Sequence, residues 1–172
     1  GLAPVDDAMQ ALLNRRREQF SKLNSDTDVE KGRQVFSKVC AACHQLGGEG
    51  ARIGPQLDGV GVRGPDRLME DLLDPNRNVD QAFRMTTLAL DDGRILSGLL
   101  LNDEGEIFTL ADSQGQEVRV PKNSVEERKI SPLSPMPANL VDQIEEPAFY
   151  DLIAYLLTQK EGRPIGEAKE EK

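Results

Sequence analysis

Apolar and polar positions alternate with three different periods along this chain, and each period predicts a different kind of element. Over residues 5–23, Val5, Met9, Leu12, Leu13, Phe20 and Leu23 recur at helical spacing, with Arg15, Arg16 and Arg17 on the other side. That pattern predicts a surface helix with a solvated basic face. A polar break, NSDTD at 24–28, ends in Asp28, a good N-cap for a second helix, VEKGRQVFSKVCAACH. Glu30 suits the positive first turn of that helix, and Val29, Gly32, Phe36 and Val39 lie along one stripe. Residues 46–64 are glycine-rich and should be irregular. A short helix is then predicted from Pro65 to Leu73, stopped by Asp74-Pro75.

From residue 83 to 130 the period falls to that of strands. RMTTLAL, RILSGLL, EIFTLA and QEVRV are separated by the turn signals DDG, NDEG and SQG, which predicts an antiparallel meander of four or five short strands. A proline-rich loop, SPLSPMPANL, precedes a last helix, EEPAFYDLIAYLLTQ, with Pro147 in its first turn and Gly162 beyond its end. The expected organisation is an N-terminal helix over 1–27, a domain over 28–162 carrying a β-rich insertion at about 83–130, and a disordered charged tail over 163–172. That helix could also be the end of a preceding domain.

Composition narrows the function. Hydrophobic content is 38%, aromatic content 4%, and there is no Trp, so the polypeptide core leaves room for an apolar group that is not protein. The formal net charge of −9 opposes binding to nucleic acid or anionic lipid and favours a basic or neutral partner. No apolar run is long enough to span a bilayer.

Chemistry is concentrated in CAACHQLGG, residues 40–48, which holds both cysteines and the single histidine. Cys40, Cys43 and His44 form the C-x-x-C-H pattern of covalent c-type haem attachment. Two thiols at this spacing can both add to vinyl groups on one porphyrin edge, and the adjacent imidazole then reaches the metal. A zinc site needs four ligands, and the chain offers only His44 beside the two thiols. A thioredoxin-like dithiol should sit after a strand in a βαβ unit, whereas this motif ends a helix. A Cys40–Cys43 disulfide would close a tiny loop and gain little.

The flanks resemble class I c-type cytochromes. Gly32, Phe36 and Cys40 match that family's Gly and aromatic before the first Cys, with Tyr155 or Tyr150 as the matching aromatic of the last helix. Gly54, Pro55, Gln56 and Leu57 match its G-P-x-L segment, and Arg63 lies eight residues after Pro55. The resemblance implies that the Pro55 carbonyl accepts the Nδ1–H of a proximal His44 and that Arg63 meets a haem propionate. With one histidine, bis-histidine ligation within the chain is impossible, and a methionine thioether is the common alternative. Met9 and Met69 fall on apolar helix stripes and Met85 opens a predicted strand. Met136, between Pro135 and Pro137 before the last helix, stands where the family carries its distal ligand, 92 positions after His44.

From about Glu30 to Leu157 the chain is similar to a narrower group, the haem-binding domain of planctomycetes and verrucomicrobia. That domain lies at the C-terminus of large exported dehydrogenase-like proteins. The matching stretches are KGRQVFSKVCAACHQLGGEGARIGPQLDGVGVR, DLLDPNRNVDQAFR, DGRILSG, GQEVRVPKNSVEER and SPMP. The implied fold is a mainly α cytochrome c-like haem cage with an inserted small antiparallel β unit, α+β overall. The implied function is one-electron transfer by one covalently attached haem c, with His44 and Met136 as iron ligands and no enzymatic activity of its own. Electrons are expected to pass through an exposed edge near Cys40 and Cys43, to a redox partner protein that could be a dehydrogenase domain of the same longer chain. The implied location is periplasmic or otherwise exported. The alternative is a haem with an open or labile distal site, acting on gases or peroxide.

Overall fold

The computed structural model describes residues 6–23 and 25–161. Val5, Gly162 and the charged tail lie outside them. Among the described residues four α-helices, α1 (Asp7–Leu23), α2 (Val29–Val35), α3 (Pro65–Leu73) and α4 (Glu146–Thr158), share one core. A five-stranded antiparallel sheet stands between α3 and α4 in sequence: β1 (Met85–Leu90), β2 (Ile95–Asn102), β3 (Ile107–Ala111), β4 (Glu117–Pro121) and β5 (Val125–Ile130). The architecture is therefore mixed, α plus β.

The helical core forms around α4. Its sequence is apolar on nearly every side, and Phe149, Tyr150, Leu152, Ile153, Tyr155 and Leu156 are all buried. α2 crosses it at Gly32, where a β-carbon would stand only 2.5 Å from the Asp151 carbonyl carbon and 2.7 Å from the Tyr155 β-carbon. No other residue fits this crossing without moving backbone. Asp28 fixes the start of α2 twice: its side chain accepts from the Lys31 amide, and its own amide donates to Asp151 Oδ1 at 2.7 Å. Phe36 then packs on Tyr155, with ring centroids 6.0 Å apart.

α1 differs from a helix with a solvated basic face. Leu13 is fully buried, and Arg16 lies over the Phe149 ring, 4.9 Å from its centroid, with its side chain only 13% exposed. Arg15 pairs with Glu146 at 2.8 Å and Arg17 donates to the Asp66 carbonyl at 3.1 Å. The Arg16 guanidinium covers aromatic surface of Phe149 and Tyr150 on α4.

The sheet has its own core of Leu88, Leu90, Phe108, Leu110 and Val120. Its strand order, β4-β3-β2-β1-β5, is a meander for four strands, after which β5 returns to pair with β1. The return satisfies the edge of β1 that a simple meander would leave open. On the other side of β2 and β3, Leu99 and Ala111 stand opposite one another and turn toward the helices.

Candidate functional site

A cavity of about 720 Å3 opens between the helical core and the sheet. Cys40, Cys43, His44, Gly54, Pro55, Arg63 and Met136 all lie on its wall. The fold thus brings together every residue that the sequence singles out for chemistry.

The attachment segment begins with a departure from α geometry. After Val35 the helix continues as a π-helical turn, Phe36–Cys40, whose Ala41 amide donates to the Phe36 carbonyl at 3.0 Å. The wider turn carries one extra residue, which rotates everything after it; such turns are rare and recur at functional sites. Phe36 stays fully buried against α4 while Cys40, Cys43 and His44 face the cavity. The next loop is sewn back onto this segment. Ala51 donates to the Ala41 carbonyl at 2.9 Å, Gly54 to the Cys43 carbonyl at 2.7 Å and Leu57 to the Gln45 carbonyl at 2.9 Å.

These bonds deliver Pro55 to the imidazole. His44 Nδ1 lies 2.7 Å from the Pro55 carbonyl oxygen, which can only accept, so Nδ1 carries the proton and Nε2 is left with its lone pair. Burial holds the imidazolium form down, outweighing the opposite pull of the Pro55 bond, so the ring is kept neutral. Gly54 makes room for that ring: a β-carbon there would come within 2.7 Å of His44 Cε1.

Burial pushes the Cys40 thiol up to about 12, with Cys43 adding to the effect. It raises Cys43 too, helped by the charge of Asp112. Neither sulfur is poised as a thiolate, which argues against dithiol redox chemistry. Among the described residues no group of three or more His, Cys, Asp or Glu could hold a metal ion, so a zinc site lacks its ligands.

Met136 also lines the cavity, and it is the one methionine of four that does. Met69 is fully buried in the helical core, Met9 packs against it, and Met85 opens β1. The Met136 amide donates to Ser134 Oγ at 3.1 Å, and the Ser134 amide donates to Asn76 Oδ1 at 2.8 Å, so the loop is tied to the turn that follows α3. Arg63 lies in a short 3-10 turn, Val60–Arg63, docked on the end of α4 through the Gly61 amide and the Gln159 carbonyl at 2.9 Å. Its guanidinium pairs with Asp71 at 2.9 Å. Arg67 reaches the same carboxylate at 3.1 Å, and burial raises Asp71 against the pull of both cations.

Two parts of the wall are not signalled by the sequence motif. Arg67 and Asp71 are one, and their α3 spacing marks only an ordinary helical ion pair. The other is the sheet: Leu99, Ala111, Asp112, Ser113 and Gln114 close one side of the cavity. This corrects the expectation of an exposed attachment edge. Cys40 is buried, Cys43 is half-buried, and the turn after β3 lies against Cys43.

The wall suits a flat macrocycle with iron. It offers apolar lining, two thiols, a neutral imidazole with a free Nε2, a thioether and two arginines.

Residues 29–93 match the family model for Cytochrome c, a span running from the start of α2 to the β1–β2 turn. A search of the curated proteins found no match. The matched span includes the whole attachment segment, and the cofactor of this domain is a covalently attached haem c with its iron. Met136 falls beyond the matched residues. No helix among those described is long and apolar enough to cross a membrane.

Proposed function

We propose that in this protein, a haem-binding electron-transfer cytochrome over residues 29–93, His44 and Met136 are the residues that would hold the iron. When bound, the haem supplies a single reversible electron, its iron alternating between ferric and ferrous. Everything else falls to the chain. Cys40 and Cys43 hold the cofactor by thioether bonds, so it stays in place in either oxidation state.

The observation that carries this reading is the 2.7 Å contact between His44 Nδ1 and the Pro55 carbonyl. It leaves Nε2 as the only ring nitrogen able to donate a lone pair, and it raises the basicity of that nitrogen. Met136, on the same cavity wall between two prolines, offers a soft sulfur with little chain entropy left to lose. A thioether favours ferrous iron and raises the reduction potential. Arg63 and Arg67, at the rim, supply positive charge for propionates. The partner is a redox protein with a basic docking face, given the net charge of −9, and a dehydrogenase domain joined to this one fits that description. Covalent haem attachment supports an exported, periplasm-like location.

Absorption spectra in both oxidation states test the ligand set. The ferric protein should show the weak charge-transfer band of sulfur-ligated iron. Met136→Ala should abolish the band and admit carbon monoxide rapidly to the reduced form, and Met69→Ala should do neither. Rapid carbon monoxide binding by the unaltered protein would instead establish an open distal site and a gas- or peroxide-reactive role.

A further inference from the structure

The turn between β3 and β4, residues 112–116, closes one side of the cavity without any chemical role in the reading above, yet it is built to stay there. Its backbone closes on itself: the Asp112 amide donates to the Gln116 carbonyl at 2.9 Å and the Gly115 amide to the Asp112 carbonyl at 3.0 Å. Asp112 Oδ1 accepts from the amides of Gln114 and Gln116, both at 2.9 Å, which fixes the direction of the carboxylate. Gly115 has a φ of +76°, and a β-carbon there would meet the Ala42 carbonyl oxygen at 2.5 Å and Cys43 Sγ at 3.2 Å. Gly115 is thus required twice over, by its own backbone and by the surface it rests on. Asp112, Ser113 and Gln114 then line the cavity beside Cys43.

We propose that the β3–β4 turn is a working part of the haem site, seated on Ala42 and Cys43 through Gly115, and that its Asp112 carboxylate is a fixed negative charge that lowers the reduction potential of the bound haem. The proposal rests on the haem assignment above. The physical reason is charge: oxidised iron carries one positive charge more than reduced iron, so a nearby anion favours the oxidised state. The protein on one side and the cofactor on the other replace much of the water that would screen it. Asp112 acts here as a positioning residue for charge and touches no iron ligand.

The test is a redox titration of the haem-loaded protein and three variants, followed by absorption. Asp112→Asn keeps the Oδ1 acceptor and removes the charge; it should raise the equilibrium constant for reduction about tenfold, which is about 59 mV for one electron. Gln114→Lys, at an exposed position of the same turn, should move the potential the same way by a smaller amount. Glu104→Gln removes an equal charge from the β2–β3 turn at the far end of the sheet and should change the constant less than twofold. Equal potentials for Asp112→Asn and Glu104→Gln, with haem retained in both, would overturn the role of the turn and leave the haem assignment standing. Absence of covalently retained haem from the unaltered protein, seen as loss of haem stain on a denaturing gel, would remove the assignment and the turn's role with it.

Discussion

Gly32→Ala sets two effects of opposite sign against each other. Within α2, an isolated glycine-to-alanine change would stabilise the helix by about 1 kcal/mol, because alanine loses less backbone entropy. The crossing with α4 opposes this. The added methyl would lie 2.5 Å from the carbonyl carbon of Asp151, closer still to its oxygen, and 2.7 Å from the Tyr155 β-carbon. The obstacle is mainly helical backbone, so relief requires the helices to separate by roughly 1 Å. A gap of that order forfeits a quarter to a half of each dispersion contact across it. The Phe36–Tyr155 pair and the buried faces of both helices are all affected. Overpacking of a dense core costs about 3 kcal/mol at the upper end of its usual range. The net expectation is a loss of about 2 kcal/mol, or a fall of about 4–8 °C in Tm for a chain of this size. Thermal unfolding of the haem-loaded ferric protein, followed by far-UV circular dichroism, measures it. A Gly32→Ala protein as stable as the original, or more so, would show that propensity wins and that the close crossing does not constrain the fold.

Two further predictions concern the site and its supports. Gly54→Ala should push the His44 ring off its Pro55 partner, since the new methyl lies 2.7 Å from Cε1; haem should stay attached through both thioethers while the spectrum changes and ligand exchange quickens. Glu146 is held below the usual carboxylate range chiefly by the Tyr150 hydroxyl, which donates at 2.6 Å, with Arg15 and Arg16 adding to it. A depressed folded value means stability that is present above about pH 4.3, the ordinary glutamate value, and is lost as pH falls through the folded one. The stability difference between the original protein and Glu146→Gln should therefore be constant near neutrality and shrink in acid, and a difference independent of pH would refute it.

Local periodicity makes much of this fold legible, and the failures have physical causes. The period-2 runs of 84–120 correspond to β1 to β4, and α3 and α4 fall on the predicted helical segments, with Met69 buried as its place on a helix stripe implies. The π-helical turn at Phe36–Cys40 leaves no trace in the sequence, because an i→i+5 bond needs no particular side chain. Arg16 departs from expectation for a related reason: charge predicts solvent, and only tertiary packing reveals that a guanidinium covers Phe149. β5 is hard to place because VEERKI is polar and carries half a strand's usual pattern, and its position beside β1 is a long-range choice. Within the site, Cys40, Cys43, His44 and Met136 stand out by residue type. Leu99, Ala111 and Asp112 do not, since LLL and a turn aspartate belong to any sheet, and nothing local says which face meets the cavity.

The pairing of β1 with β5 has a consequence for chain entropy. The Met85 amide donates to the Leu133 carbonyl at 2.9 Å, and the Ser131 amide donates to the Met85 carbonyl at 2.8 Å, so the chain leaves for the sheet and returns from it at one point. Once those bonds form, the excursion is a closed ring, and its length no longer adds to the freedom of the methionine loop. Met136 then sits five residues from a fixed anchor at Ser131, although 92 positions separate it from His44. Because closure entropy grows only with the logarithm of loop length, lengthening the β2–β3 turn should leave the methionine as easy to place as before.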